Sequence, residues 1–366
     1  MSPLSENGGA LRSFKRVTLR DLGKELGLSD RAVSQALNPR ASNVKLNPKT
    51  VERIQKLAAL RNYRRDSRAR SMRYGRFYNI GYFEAKKKTT AWPLLGAEAG
   101  VCDAAADHDY HVVLIRLPSD MSSEPESVPS IFRESSLDAL IISHAGNLTE
   151  ELEKIIDTSG MPIVYLNEKK SHNAVYVDDF RGAQEITRYL LSLGNRKIAY
   201  YSNTRELAHY SAIDRMAGYE KAMNEAGLNP EILESVVRNT GEFTAWLDAH
   251  KDVEAIACYN DLFALHMFRL LYHTGIRVPA HLALTGFGDD FSRDCCPVEL
   301  TTMRTPFYEM GKAAVEMALE MINGNLQSVP SKVFSQELVV RDSTRNRLDD
   351  RPPVGSPCQT NQPELA

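Results

Sequence analysis

Two short amphipathic segments near the start of the chain constrain the fold more than any other feature of the sequence. Between residues 19 and 26, leucines recur at helical spacing on one face, and Gly27 then interrupts the pattern. Ser29 can cap a second helix, in which Val33 and Leu37 are four residues apart. Two helices joined by so short a turn predict a helix-turn-helix, whose second helix enters the major groove of DNA.

A third helix is predicted after this pair. Asn47 is a suitable N-cap, and Pro48 suits the first helical position because no backbone N–H is needed there. We therefore predict an all-α, three-helix DNA-binding domain over residues 17–63. The apolar residues at helical spacing in the third helix are Val51, Ile54, Leu57 and Ala58.

Charge is divided unevenly along the chain. Residues 1–76 contain 18 Lys/Arg and 6 Asp/Glu, a net charge of +12, whereas the remainder contains 27 basic and 41 acidic residues, a net charge of −14. Basic residues could simply solvate a small domain, but the excess coincides with the helix-turn-helix. The distribution therefore indicates a polyanionic partner, double-stranded DNA, at this end of the chain.

Three segments lack the apolar periodicity of a packed domain. Residues 1–16 are rich in Ser, Gly and Asn and are predicted to be disordered. Residues 64–77 are predicted to form an arginine-rich tether with room for a short helix. Residues 343–366 are polar and rich in proline, and a disordered tail is expected there.

From residue 78 onward, short apolar strands alternate with amphipathic helices. This alternation predicts α/β architecture with parallel sheets, and the number of strands favours two similar lobes over one large sheet. We expect lobe 1 to contain residues 78–177 with 305–330, and lobe 2 to contain residues 178–304 with 331–342. The predicted strands are Asn79–Phe83, His111–Arg116, Ala139–Ser143, Pro162–Asn167, Lys197–Ser202, Ala255–Tyr259, Leu282–Phe287 and Val333–Val340. The predicted helices include Leu94–Asp107, Gly182–Leu193, Arg215–Ala226 and Ala264–Thr274.

The cysteines and histidines predict no metal site and no cofactor. The five cysteines and nine histidines show none of the spacings typical of metal ligands. Cys295 and Cys296 are adjacent and could form a redox sensor, although packing is the favoured interpretation. An odd, scattered set of cysteines suits reduced thiols in the cytoplasm.

The sequence also predicts a protein that does not enter a membrane. No apolar run approaches the roughly 20 residues needed to cross a bilayer. The first ten residues contain no basic region, and no apolar stretch follows them, so a signal peptide is not expected. We therefore expect a cytoplasmic location.

From residue 17 to about 342 the chain resembles the lactose-repressor (LacI/GalR) family of bacterial transcription regulators. A lone helix-turn-helix would be a moderate signal, whereas an ordered series of motifs along the whole chain is specific. The motifs are Val17-Thr18-Leu19-x-Asp21-Leu22 through Val33-Ser34, Leu60-x-Asn62-Tyr63, Arg215-Met216-Ala217-Gly218-Tyr219, Tyr259-Asn260-Asp261, and Pro297 with Leu300-Thr301-Thr302.

The resemblance implies a two-lobed, periplasmic-binding-protein-like body and a homodimer whose paired heads bind a pseudo-palindromic operator. It also implies that a small carbohydrate-like effector binds in the cleft between the lobes and changes how the heads and tethers are presented. The cleft is where open α/β sheets bind ligands, at the carboxyl ends of their strands. A repressor is the expected regulator, and no enzymatic activity is expected.

On the family pattern, three residues of the second helix occupy base-reading positions. Arg31 can bind guanine through two hydrogen bonds, Gln35 can bind adenine, and Asp30 can accept from a cytosine amino group. The alternative for Asp30 is a favourable interaction with the positive end of the helix dipole. The remaining expected contacts in the head are Thr18, Ser29, Ser34 and Asn38, with the two serines on phosphates.

The resemblance further implies that the tether folds on DNA and inserts an apolar residue into the minor groove. Met72 stands at the inserting position, where leucine is more usual in the family, and Arg68 and Arg73 are also expected to contact DNA. The sequence departs from the family pattern at Arg65, which replaces a common proline, and at Arg68, which replaces an apolar residue. These departures favour heavier phosphate contact and less pre-ordering of the tether.

Five residues are expected to bind the effector. Arg215 matches the arginine that fixes a polar effector in many members of the family. Asn260 follows a strand at the cleft edge, where its amide can share ligand hydroxyls, and Asn167 and Asp289 end strands that should reach the same cleft. Trp92 lies in the first strand-to-helix loop and could stack on a sugar ring.

Each of these assignments has a structural alternative. Arg215 could form a surface salt bridge, Asn260 could satisfy backbone groups at its own turn, and Trp92 could belong to the core. The acidic pair at 178–179 precedes a predicted helix and could serve only as caps. At Gly288 the family pattern is broken, because an acid is common there, which weakens the assignment of Asp289.

Two other classes of function share an α/β body of this kind. A solute-binding protein for transport would need an export signal and would have no use for a basic helix-turn-helix. A carbohydrate-acting enzyme would be indicated by ligand turnover, but the sequence has no Gly-x-Ser-x-Gly elbow, phosphate loop or Gly-x-Gly-x-x-Gly motif.

Overall fold

The computed structural model separates the chain into two compact units, Met1–Phe77 and Tyr78–Ala366. The first unit is called the head here and the second the body. The residues that the structure describes are 16–37, 46–64, 71–72, 75–85, 95–117, 136–143, 154, 156, 158–202, 209–234, 240–290 and 294–344. The predicted disorder of residues 1–15 and 345–366 therefore lies outside the described residues.

The head is the predicted three-helix domain. Its first helix begins at a capping box, in which the Thr18 hydroxyl accepts from the backbone N–H of Asp21 and the Asp21 carboxylate accepts from the backbone N–H of Thr18. Gly27 ends this helix in the left-handed region, with φ of 65°. The core is formed by Leu22, Val33, Ala36, Ile54 and Ala58. The helices are α1 (Leu19–Leu26), α2 (Asp30–Leu37) and α3 (Pro48–Leu60).

Lobe 1 of the body is a parallel six-stranded sheet covered by helices. Its strand order is β11-β5-β4-β3-β1-β2, and α4 and α9 bury the apolar face of the sheet in one continuous core. The strands are β1 (Asn79–Ala85), β2 (His111–Leu117), β3 (Ala139–Ser143), β4 (Ile163–Leu166), β5 (Ala174–Val177) and β11 (Lys332–Phe334), and the helices are α4 (Leu95–Asp107) and α9 (Phe307–Gly324).

Lobe 2 is a parallel four-stranded sheet in the order β7-β6-β8-β9. One apolar cluster lies between this sheet and α8, and a second lies on the opposite face against α6. The elements are α5 (Asp179–Ser192), β6 (Ile198–Ser202), α6 (Tyr210–Glu225), β7 (Glu231–Glu234), α7 (Thr240–Ala249), β8 (Ala255–Cys258), α8 (Asp261–Tyr272) and β9 (Ala283–Thr285).

The chain passes between the lobes three times. The crossovers lie between β5 and α5, between β10 (Thr302–Arg304) and α9, and between β11 and β12 (Glu337–Val339). Strands β10 and β12 pair with each other in an antiparallel two-stranded ribbon. Two lobes joined by three short connections have the architecture in which hinge motion occurs, and the connections are called the hinge below.

The fold class is confirmed, and the differences from the sequence expectations are local. Residues 331–342 were expected in lobe 2, but β11 adds to the edge of the lobe 1 sheet beside β5. The expected strand Val333–Val340 is therefore two strands in two different sheets. The tail was expected to begin at residue 343, whereas Ser343 and Thr344 are buried in a short 3-10 helix. Buried hydroxyls hold this segment, because Ser343 Oγ donates to the Leu284 carbonyl at 2.6 Å.

Two further observations concern broad classes of site. Among the described residues, no helix has the length and apolarity that spanning a membrane requires. Within the same part of the chain, no group of three or more His, Cys, Asp or Glu side chains is arranged to hold a metal ion.

The four described cysteines are free thiols, of which Cys102 and Cys295 are exposed and the other two pack in lobe 2. Cys258 is buried in the core of lobe 2, and Cys296 packs partly against it. Burial, helped by the nearby charge of Asp261, raises the pKa of Cys296 to about 12. A thiol of such high pKa holds little of the reactive thiolate, which supports packing over redox sensing at this position.

Candidate DNA interface and interlobe site

In the head, α2 turns its apolar side inward and presents its first residues to solvent. Val33 is fully buried, whereas Asp30 and Arg31 are exposed. Ser34 and Gln35, on the next turn, are half-buried. An exposed guanidinium at the start of such a helix can reach guanine in the major groove, so the geometry suits the predicted role of Arg31.

Two residues expected to contact DNA also cap helices. Thr18 forms the capping box of α1, and the hydroxyl oxygen of Ser29 accepts from the backbone N–H of Ala32 at 3.2 Å. A capping serine uses its oxygen as an acceptor, so its hydroxyl hydrogen can still be donated to a phosphate. Capping and phosphate contact are therefore compatible at Ser29.

The tether is described only in part. Ser71 and Met72 are helical, and the Met72 side chain is 90% exposed. A methionine so exposed leaves its apolar surface available for another molecule to cover. Asn38, Arg68, Arg73 and Trp92 lie outside the described residues, so their assignments stay predictions from the sequence.

In the body, Arg215 is buried at the centre of a polar cluster on the cleft side of lobe 2. Its Nε donates to Asp179 Oδ1 at 2.7 Å, and its Nη1 donates to the carbonyl oxygen of Tyr259 at 2.8 Å. Its guanidinium carbon also lies 3.9 Å from the centroid of the Phe287 ring and 4.8 Å from that of Tyr259. Arg215 is therefore a buried, charge-paired group and not the surface salt bridge considered above.

Electrostatics keep this arginine charged. Burial alone would lower the pKa of Arg215, but the charge and hydrogen bond of Asp179, together with nearby Tyr259 and Tyr200, outweigh burial and raise the pKa above its ordinary value. Burial raises the pKa of the neighbouring Tyr210, and Asp179 raises it further, so this hydroxyl stays protonated. The cleft floor thus presents a neutralised ion pair surrounded by phenol groups.

The two residues of the acidic pair have different roles. Asp178 caps α5, because its Oδ1 accepts from the backbone N–H of Arg181 at 3.1 Å. Asp179 is fully buried and pairs with Arg215. The sequence left capping open for both residues, because the partner of Asp179 lies 36 residues away along the chain.

Asn167 joins the two lobes across the cleft. It follows β4 with φ of 61°, and its carbonyl oxygen accepts from His209 Nε2 at 2.7 Å while its Oδ1 accepts from the Tyr210 hydroxyl at 3.2 Å. Close by, Lys169 of lobe 1 pairs with Asp214 of lobe 2 at 2.6 Å. The start of α6 is thus held against the end of β4, a role for His209 and Tyr210 that no motif in the sequence indicated.

Asn260 and Asp289 have structural partners of their own. The side chain of Asn260 caps α8 by accepting from the backbone N–H of Phe263 at 2.9 Å. The carboxylate of Asp289 pairs with Arg304 at 2.7 Å and with Arg341 at 2.8 Å, and its side chain is 2% exposed. Arg304 belongs to the interlobe ribbon, so Asp289 ties lobe 2 to the hinge.

A second buried carboxylate lies beside the ribbon. Asp261 Oδ1 accepts from the Thr302 hydroxyl at 2.6 Å, and its Oδ2 accepts from the backbone N–H of Asp290 at 3.0 Å. Burial raises the pKa of Asp261 to about 6, although the hydrogen bond from Thr302 opposes the shift. The residue anchors the start of α8 to β10.

A helix-turn-helix head and a two-lobed α/β body with a polar cleft define a ligand-gated DNA-binding regulator, and comparison with known proteins agrees. A periplasmic binding protein-like domain family matches residues 187–344. The HTH-type transcriptional regulator RegA of Clostridium saccharobutylicum is 27% identical over 339 residues, which cover 89% of this chain and 99% of that protein. The arabinose metabolism transcriptional repressor of Geobacillus stearothermophilus is 28% identical over 265 residues, which cover 67% of this chain and 71% of that protein.

Among solved structures, the lac repressor dimer bound to operator and the anti-inducer ONPF superposes with a TM-score of 0.71. It shares 21% identity with this chain, and the match covers 90% of this chain and 99% of that one. This likeness concerns the fold. Together with the motifs along the sequence, the comparisons show that the chain is similar over most of its length to HTH-type transcription regulators and shares the fold of the lac repressor.

Proposed function

We propose that the chain is a sequence-specific transcription regulator, acting as a repressor, that binds a pseudo-palindromic operator as a homodimer in the cytoplasm. A small polyhydroxylated effector, a sugar or sugar derivative, binds between the lobes at Arg215 and changes operator affinity. The observation that carries the proposal is the combination, in one chain, of an exposed recognition edge on α2 with a buried Arg215–Asp179 pair at the cleft of a hinged body.

The chemistry of the cleft supports an effector with hydroxyl groups. Arg215 already has an anionic partner, so a strongly anionic ligand would gain less there than at an unpaired arginine. The aromatic rings of Tyr259 and Phe287 are buried against the guanidinium of Arg215 and hold it in place beside the cleft. Trp92 and Asn260 remain proposed contacts, whereas Asp289 would have to leave two arginines to take part.

In the tether, we propose that Met72 enters the minor groove at a flexible central base step while Arg68 and Arg73 contact phosphates. The exposure of the Met72 side chain supports this role. Whether the effector releases the operator or strengthens its binding depends on which lobe arrangement it prefers, and either sign follows from the same linkage.

The test is selection of bound duplexes from a random DNA pool by the purified full-length protein at near-physiological salt. A dimer with paired heads should enrich a palindrome whose half-sites are separated by a flexible step. The selection is then repeated with pooled neutral sugars, and separately with sugar phosphates and with sugar acids. The amount of bound duplex should change only with the class of compound that binds the protein.

Binding without enrichment, with affinity that falls steeply and equally for every duplex as salt rises, would contradict sequence-specific regulation. A solute-binding protein would bind a sugar and enrich no duplex. An enzyme would convert one of the pooled sugars, which mass spectrometry of the pool would reveal.

A further inference from the structure

The three crossovers between the lobes meet at one half-buried side chain, Gln336. This residue lies in the third crossover, and its Nε2 donates to Asp179 Oδ1 at 3.2 Å and to Thr305 Oγ1 at 3.5 Å. Asp179 directly follows the first crossover, and Thr305 lies in the second. The carboxylate of Asp179 can only accept, so the NH₂ group of the amide must face it, which fixes the orientation of the amide.

The same oxygen that binds Gln336 also binds Arg215. Asp179 Oδ1 accepts from Arg215 Nε at 2.7 Å and from Gln336 Nε2 at 3.2 Å, so a shift of the arginine redistributes the charge that holds the glutamine. The path from the cleft to the hinge therefore consists of two hydrogen bonds through one oxygen atom.

Packing leaves Gln336 little room to move independently. A Cβ at Gly182 would overlap the Gln336 amide oxygen and would lie 3.0 Å from the Phe287 ring, so both groups fill the space over this glycine. The same Phe287 ring stacks on the Arg215 guanidinium. Arg215 is thus linked to Gln336 indirectly, through the shared Asp179 oxygen and through the packing of Phe287 over Gly182.

The amide is also only half satisfied. Gln336 Oε1 is buried and has no hydrogen-bond partner among the described residues. Buried oxygens are nearly always paired. The amide is held here only through the hydrogen bonds that its NH₂ group donates.

We propose that Gln336 is the positioning residue that couples occupancy of the Arg215 site to the relative orientation of the two lobes. The proposal rests on the proposed function, because it assumes that a ligand binds at Arg215. A ligand that hydrogen-bonds to Arg215 weakens or redirects the arginine's hold on Asp179 Oδ1, and Gln336 passes that change to the second and third crossovers.

The proposal is tested without DNA or effector by measuring the distance between the lobes in the full-length protein. Spin labels are placed at His108 and Lys251 through an unnatural amino acid, so the five native cysteines need not be removed. Both positions are exposed, and each lies just before a strand, away from the cleft. Pulsed electron paramagnetic resonance then gives the distribution of interlobe distances.

Gln336→Leu keeps the size of the side chain and removes its polar atoms, so we expect a broader distribution with a shifted mean. Gln184→Leu is the matched control, because Gln184 loses a comparable hydrogen bond, to Glu225 at 3.2 Å, within lobe 2. The control should keep the distribution of the parent. Identical distributions for the two variants, both folded by melting curves, would overturn the proposal.

A double-mutant cycle with Arg215→Met separates coupling from simple structural support. If Gln336 acts through Asp179 and Arg215, then Gln336→Leu should shift the distance much less when Arg215 is already replaced. Fully additive shifts would contradict the coupling. If Arg215→Met does not fold, Arg215→Lys takes its place in the cycle.

These outcomes are distinguishable from failure of the proposed function. The distance measurement needs neither operator nor effector, so it stands if no palindrome is enriched. If the interlobe distance responds to Gln336→Leu but no operator is enriched, the proposed regulator is contradicted and the coupling stands. If an operator is enriched but the interlobe distance does not respond, only the role of Gln336 is contradicted.

Discussion

The two candidate sites of this protein use arginine in opposite ways. In the head, Arg31 stands exposed at the start of α2, where its surroundings are set by the helix on which it lies. In the body, Arg215 is buried and its partners, Asp179 and Tyr259, come from elements 36 and 44 residues away. The first arrangement follows from local sequence, and the second exists only when the lobe has folded.

This difference in burial determines what each arginine can bind. An exposed arginine is free to meet a partner of its own geometry, such as the edge of a guanine. A buried arginine that is paired and stacked supports the fold, and it can contact a ligand only through the donors that remain. Replacing the exposed Arg31 should change DNA recognition. Replacing the buried Arg215 should chiefly lower the stability of the fold.

The largest expected effect comes from Arg215→Met. The substitution leaves the Asp179 carboxylate buried without its cationic partner, which costs about 3–5 kcal/mol of unfolding free energy. Urea unfolding of the body, followed by tryptophan fluorescence, measures the loss. Arg188→Met is the control, because Arg188 pairs with Glu225 at 2.7 Å on the surface and its loss should change stability little.

If Arg215→Met and Arg188→Met lose equally little stability, the contrast drawn between the exposed Arg31 and the buried Arg215 fails. Arg215 would then serve ligand binding alone. In that case the variant should keep the melting behaviour of the parent and lose only the effector response.

The next largest effect is expected for Arg31→Ala in the head. Loss of a two-hydrogen-bond contact to guanine should weaken operator binding by about 1–3 kcal/mol and relax preference at one base pair. Binding to a set of operators substituted one base pair at a time gives both quantities. Arg53→Ala is the matched control, because Arg53 is exposed on α3 and its substitution removes the same charge.

A base-reading role and a phosphate-contacting role give different patterns in that experiment. If Arg31 touches only phosphate, its loss weakens every operator alike and lowers the salt dependence of binding. Such a uniform loss, matched by Arg53→Ala, would remove Arg31 from the base-reading set.

The extent of sequence prediction differs in the same way between the two regions. Apolar periodicity gave β3 with the bounds that the structure has, and it gave the three helices of the head. It missed β5, β7 and β10, each only three or four residues long. Strand β7, with glutamates at both ends of two apolar residues, carries almost no periodic signal and forms because β6 offers it an edge.

A motif in the sequence marks a candidate site residue, whereas a residue defined by a partner far along the chain carries no such mark. Arg215 lies in a motif, whereas Gln336 is defined by a contact with Asp179 across 157 residues of chain. Asp289 was selected because it follows a strand that reaches the cleft, but Arg304 and Arg341 neutralise it there. Pairing of charges across a fold depends on packing, which spacing along a chain does not encode.

The smallest expected effect is on stability, and it comes from replacing one helix N-cap in the head and one in the body. Asn47 caps α3 in the head by accepting from the Lys49 N–H at 3.0 Å, and Asn260 caps α8 in the body. Substitution of either by alanine should cost about 1 kcal/mol, each within its own unit. Denaturation of the full chain, followed separately for head and body, measures both losses.

Asn260 then shows whether a cap at the cleft also serves recognition. Asn260→Asp keeps an oxygen that can cap α8 and removes the amide N–H donors, so stability should return to that of the parent. If the amide also donates to an effector hydroxyl, this variant should bind the sugar found by selection more weakly than the parent does. Unchanged affinity would assign Asn260 to capping alone.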